Sequence, residues 1–142
     1  PHVVEAVSLY RESFRASPVL ERPYTIVTAN ALAADTDEEA RRLALPGRLM
    51  RLAIRTNRLR PVPSVDQALA DPERAAAEAM PGNAIVGTAD AVAADLRELA
   101  ARTGADELML SASTHGAGER VRSLELVAGA WGLRRAEARP AA

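Results

Sequence analysis

Three features of the 142-residue sequence predict an α/β fold. First, "YTIVTA", Tyr24 to Ala29, is a charge-free run of β-branched and aromatic types, the pattern of a central strand buried on both faces of a parallel sheet. Second, "AIVGTADAVAADLRELAARTGADELML" sets an amphipathic helix between two apolar segments. That is the pattern of a βαβ unit, whose strands are parallel and whose crossover is right-handed. Third, the passage between these features is helical and proline-punctuated, with no strand pattern of its own.

Taken in order, "VVEAVSLYRESF" spaces Val3, Val7, Tyr10 and Phe14 as one face of a helix, with Glu5, Arg11 and Glu12 between them. Pro18 and Pro23 bracket an extended linker before the first strand. In "ADTDEEARRLAL", Asp35 or Thr36 caps a helix whose first turn carries Asp37, Glu38 and Glu39 toward the positive end of its dipole. Pro46 and Gly47 are expected to interrupt it. A short arginine-bearing helix is expected within 48–60, ending before Pro61 and Pro63. "SVDQALADPERAAAEAM" reads as two small helices broken at Asp71-Pro72. Residues 34–83 thus form a helical excursion from the sheet.

Ala84 to Val86 is a very short strand or a turn, Thr88 an N-cap, and Asp90 a first-turn acid. Val92, Leu96 and Leu99 share one helical face, and Gly104 supplies the left-handed C-terminal turn. Asp106 to Leu110 is a strand. "ERVRSLELVAGAWGL" is a last amphipathic helix carrying Val121, Leu124, Leu126 and Val127, and 134–142 is expected to be a disordered tail. The expected organisation is one domain over 1–133.

Composition narrows the function classes. With 18 basic and 19 acidic residues the net charge is -1, so no basic field exists to hold a nucleic-acid backbone. There is no cysteine, which removes thiolate chemistry and disulfides, and the only histidines, His2 and His115, cannot build a histidine-rich metal site. All the basic residues are arginines, so lysine Schiff-base chemistry is excluded. No apolar run approaches the roughly 20 residues of a bilayer span, and no charged n-region followed by a short apolar h-region occurs in the sequence. No membrane partner and a cytoplasmic location are expected.

Three segments in this order resemble the C-terminal portion of the luciferase-like flavin-dependent monooxygenases, the bacterial luciferase family. They are "YRESF" followed by "RPYTIVTANALAADTDEEARRLA", then "AIVGTADAVAADLRELAARTGADELMLSASTH", then "ERVRSLELVA". The most specific pieces are "NALAADTDEEA" at Asn30 to Ala40 and the spacing of the "VGT" cap, "TGADELML" and "RSLELVA". Together they cover most of Tyr10 to Ala128.

The resemblance implies the C-terminal part of a (β/α)8 TIM barrel, with 24–30 as the seventh strand and 106–112 as the eighth. The helical passage between them would be the family's insertion near the active-site mouth. It also implies that about six of the eight strands, with the flavin-phosphate anchors and the main catalytic histidine, lie upstream of Pro1. Two or three strands cannot close a barrel, so an isolated piece would expose an edge and an apolar face. Such a piece is expected to be a truncated product or to complete its sheet with another copy, as a homodimer or higher assembly.

In barrels of this kind the reacting site lies beyond the C-terminal ends of the strands. The candidates there are Thr28, Ala29 and Asn30, and Ser111, Ala112, Ser113 and His115. Asn30, Ser111 and Ser113 are the expected cofactor contacts; the alternative is that these small residues cap the sheet end or make local side-chain to backbone turns. His115 is a candidate proton donor, or a solvated loop residue with Glu119 as its nearest carboxylate. Arg48, Arg51, Arg55 and Arg58 form a stripe, read either as an anion-binding or lid surface at the mouth or as a solvated face paired with "DTDEEA". No metal is expected. "GTADAV" lacks the glycine spacing of a phosphate loop, and Trp131 is read as packing.

The resemblance implies an enzyme that oxidises a small organic substrate with reduced FMN and dioxygen, a flavin reductase being a candidate partner. Some relatives of the wider family instead use a deazaflavin for hydride transfer. The 142-residue piece alone is expected to be inactive. The competing reading is a stand-alone, non-catalytic α/β binding or assembly module.

Overall fold

The computed structural model describes residues 2–133, so the expected tail at 134–142 lies outside the described residues. The order of elements is α1 (His2–Ser13), β1 (Ile26–Ala34), α2 (Asp37–Arg55), α3 (Val65–Leu69), α4 (Arg74–Ala79), β2 (Ile85–Thr88), α5 (Ala89–Thr103), β3 (Glu107–Ser111) and α6 (Ala117–Trp131). The three described strands form one parallel sheet in the order β2-β1-β3. The expected seventh and eighth strands are therefore direct parallel neighbours. β2 and β3, joined through α5, flank β1 instead of pairing with each other.

The sheet is staggered. β3 pairs with the first half of β1, Ile26 to Asn30, whereas β2 pairs only with its second half, Ala31 to Ala34. β1 starts later than expected from composition and runs on through Ala34. Alanine has little intrinsic strand preference, but pairing with β2 and burial decide the outcome.

The expectation of a strand buried on both faces holds only for Ala31 to Ala34. On the back face Ala29, Ala31 and Ala33 pack with Val92 and Leu96 of α5 and Val127 of α6. On the front face Leu32 and Ala34 lie under Ala40 and Leu43 of α2. The front-face residues of the first half are uncovered: Ile26 is 49% exposed and Met109, beside Thr28 in the ladder, is 56% exposed.

The βα signals act locally as read. Thr36 Oγ1 accepts from the Glu39 N–H at 3.2 Å, and Gly104 ends α5 at φ 60°. Ser64 and Gln67 form a capping box on α3. At the end of β1 the Ala33 N–H donates to the buried Ser123 Oγ at 2.8 Å, which ties α6 to the sheet.

Two helical expectations are corrected. Pro46 and Gly47 do not break α2, which continues to Arg55 as one helix and absorbs the separate helix expected within 48–60. Pro46 forgoes a bond to the Arg42 carbonyl, but its ring is fully buried. Burial of that apolar ring offsets the lost hydrogen bond. α1 has the expected bounds within a residue but buries none of its side chains. Arg11, not an apolar stripe, anchors it: the guanidinium donates to the Thr103 and Gly104 carbonyls and to Thr25 Oγ1.

Candidate functional site

The parallel register of β1 and β3 builds the site. It sets Asn30 directly beside Ser111 at the C-terminal end of the front face. Alternation places Ile26, Thr28 and Asn30 on that face and Val27 and Ala29 on the other. Ala29 is thereby removed from the candidates, because its methyl is buried in the back core. The chain leaves β3 so that Ser113 reaches Asn30, whose Nδ2 donates to Ser113 Oγ at 3.4 Å. The three expected contact residues, Asn30, Ser111 and Ser113, therefore sit at one strand-end cluster. Ala112 lies between the two serines, half-buried.

α2 closes over this corner. A Cβ on Gly47 would stand 2.9 Å from both Ser113 Cβ and the Ser113 carbonyl oxygen, so only glycine permits this approach without a shift. Asn30, Leu32 and Ser113 line a narrow cleft with Ala44, Gly47, Arg48 and Arg51 of α2 and with Ala84 and Val86. The cleft brings together residues that the sequence scatters over more than 80 positions. Its α2 wall depends on the helix continuing past Pro46, which local rules did not indicate.

The expected pairing of the arginine stripe with "DTDEEA" is not formed. Arg48 reaches the Glu78 carbonyl and Arg51 the Pro81 carbonyl, at 3.4 and 3.5 Å. Arg58 lies past the end of α2 and pairs with Glu73. Asp35 is held by Arg122 of α6 at 3.0 Å, and Asp37 accepts from the Thr88 N–H at 3.2 Å.

His115 stands apart from the Asn30 cluster. It is exposed, and its Nδ1 lies 3.0 Å from the Val62 carbonyl oxygen. It borders a separate groove with Ser64, Asp66 and Glu119. Trp131 packs against the back core, with the Arg97 guanidinium 5.1 Å from its ring centre.

Shifted titrations occur at the other end of the strands. Thr25 donates its backbone N–H and hydroxyl to Asp106, at 2.8 and 3.0 Å, and these bonds hold the Asp106 carboxyl below its ordinary range. The hydroxyl of Tyr24 donates to Glu107, which pushes the phenol up.

No family model matches the chain. It is 37% identical over 134 residues to the Bacillus subtilis protein YvbT, an alignment covering 92% of this chain and 40% of that protein. It is 29% identical over 126 residues to a luciferase-like monooxygenase of Escherichia coli, covering 86% of this chain and 38% of the relative. Among solved structures, that of apo-MsnO8 matches with a TM-score of 0.80 at 31% identity, over 93% of this chain and 42% of that one. The chain spans about two fifths of the length of these relatives. The comparisons establish an α/β architecture shared with a solved protein, and distant homology to a luciferase-like monooxygenase.

Proposed function

We propose that the chain is the C-terminal part of a flavin-dependent oxidoreductase of the luciferase-like kind, with its sheet forming the last strands of a (β/α)8 barrel. The observation that carries this reading is the split front face of β1. Its second half is sealed by α2, while its first half, with Thr28, Met109 and Asn30, is open at the strand end where Asn30, Ser111 and Ser113 gather. The homology to a luciferase-like monooxygenase supports the class. Along Ile26 to Asn30 no described strand pairs on the β2 side, which leaves room for a further barrel strand.

The residues present fit one edge of a flavin. An amide and two hydroxyls stand at the end of a face that also carries Ile26 and Met109, matching a ring system with a polar and an apolar end. Bound there, reduced FMN would supply the oxygen chemistry for an organic substrate. Asn30, Ser111 and Ser113 would orient it, and α2 would keep water from the mouth. A flavin reductase is the proposed source of reduced flavin, and the cytoplasm the proposed location. The described residues contain no helix long and apolar enough to cross a membrane.

The longer protein containing this chain is expected to quench FMN fluorescence saturably, whereas the 142-residue chain alone does not at micromolar concentration. Saturable quenching by the short chain would overturn the assignment of the phosphate anchors to the missing part. A longer protein that binds neither FMN nor a deazaflavin would overturn the reading itself. With its outer strand edges and front face open, the short chain is also proposed to self-associate; a monomeric mass by micromolar solution scattering would rule that out.

A further inference from the structure

We propose that Arg48 and Arg51, on the α2 wall of the cleft that Asn30 and Ser113 also line, form an anion-recognition subsite that takes the carboxylate of an organic substrate. All four residues line the same narrow cleft, and both arginines are half-buried. They stand three residues apart on α2, so one helical face directs both toward the cleft.

Neither guanidinium is neutralised. Their hydrogen-bond partners are backbone carbonyls at 3.4 and 3.5 Å, the long limit of such bonds, which leaves most of the five N–H donors of each arginine free. Among the described residues no carboxylate lies within ion-pair reach of either one, and the nearby acids are engaged elsewhere. Glu78, whose carbonyl Arg48 touches, gives its carboxylate to Arg74 at 2.9 Å. Glu73 and Asp71 are held by Arg58 and Arg60, and Asp35 by Arg122.

Two half-buried, uncompensated cations facing a polar amide and hydroxyl favour an anionic group in the cleft. A carboxylate matches the guanidinium fork and is the smaller and planar one of the oxyanions that do.

Use of this subsite by a substrate rests on the flavin-oxidoreductase reading; the binding of an anion does not. The 142-residue chain is titrated with benzoate, and separately with its neutral isostere benzamide, while the amide resonances of Asn30, Ser113 and Gly82 are followed by NMR. Gly82 reports because a Cβ there would stand 2.2 Å from the Arg51 guanidinium. Benzoate is expected to shift these signals saturably and benzamide is not. The double variant Arg48→Gln/Arg51→Gln should weaken benzoate by about tenfold or more, as expected for losing charged hydrogen bonds. Arg55→Gln, on the same helix but outside the cleft, should retain it, and circular dichroism checks that each variant keeps its helices.

Absence of a benzoate shift, equal shifts from benzamide, or an equal loss in Arg55→Gln would overturn the proposal. So would FMN, but not riboflavin, filling the cleft in an arginine-dependent way, because the anion would then be the cofactor's phosphate. None of the benzoate outcomes bears on whether the longer protein binds flavin, so the two readings fail separately.

Discussion

The back and front faces of the sheet are made from the same strands and end in different states. On the back, Ala29, Ala31 and Ala33 meet Val92, Leu96 and Val127, and small residues on the strand let two helices settle close to it. On the front, alternation presents Ile26, Thr28 and Asn30 beside Met109 and Ser111, and only Leu32 and Ala34 are covered. Along β1 the back face is a packed core within this chain, while beside β3 the half-buried Leu108 and Leu110 line an open groove with Leu124 and Trp131. The front face mixes exposed apolar and hydrogen-bonding groups, a composition that suits a ligand surface better than a helix interface.

The largest expected effect lies on the back. Leu96 is 1% exposed at the centre of that core, so Leu96→Ala should cost about 2–5 kcal/mol through lost transfer energy and a cavity. Urea unfolding measures this, and a loss under about 1 kcal/mol would mean that α5 is not firmly seated on the sheet. Gly47→Ala, at the covered end of the front, should rank second. The helix gains about 1 kcal/mol in propensity, while overpacking against a Ser113 backbone oxygen costs about 1–3 kcal/mol. A net loss is expected, accompanied by shifted Asn30 and Ser113 amide resonances. A net gain would show that the Ser113 loop yields freely and that α2 does not define the cleft.

How much of this was legible in the sequence follows from the range of each signal. Thr36, Gly104 and the Val92, Leu96 and Leu99 face act within a turn or two of the chain and are readable there, whereas Thr88 holds the N-cap position without a side-chain capping bond. Pro46 and Gly47 depart from their local helix-breaking rule because their setting is a buried ring and a close approach to Ser113. The meeting of Asn30 with Ser111 depends on strand register, which pairing across the sheet decides. The arginine stripe was visible as a stripe. Its carbonyl partners at Glu78 and Pro81 were not, since they are brought to α2 by the packing of α4.

At the N-terminal end of the strands, acid should loosen the link between β1 and β3. The Asp106 carboxyl is lowered from its ordinary 3.8 by the two Thr25 bonds. A depressed carboxyl contributes stability that is present above the unfolded value and lost as pH falls through the folded one. Unfolding measured from pH 6 down to about pH 2, spanning the ordinary carboxylate range, should therefore show a loss beginning near the ordinary value, and Asp106→Asn should flatten that part of the profile. An unchanged profile in the variant would remove Asp106 from the strand-tying role. The side chain is partly exposed, so the effect should be smaller than that of either core substitution.

The smallest expected effect tests the front face most directly. Met109 and Leu96 are both large and apolar, and they differ in that Met109 is 56% exposed. If the first half of the front face is open in the single chain, Met109→Ala removes few contacts and leaves almost no cavity. The unfolding free energy at low protein concentration should then change by less than about 0.5 kcal/mol. Repeating the measurement at higher concentration separates two sources of any larger loss, because a contact between copies makes stability depend on concentration and one within the chain does not. A loss of about 2 kcal/mol or more at low concentration would mean that the chain covers this face by itself. The contrast between the two faces, and with it the reading of the front as a ligand surface, would then fall.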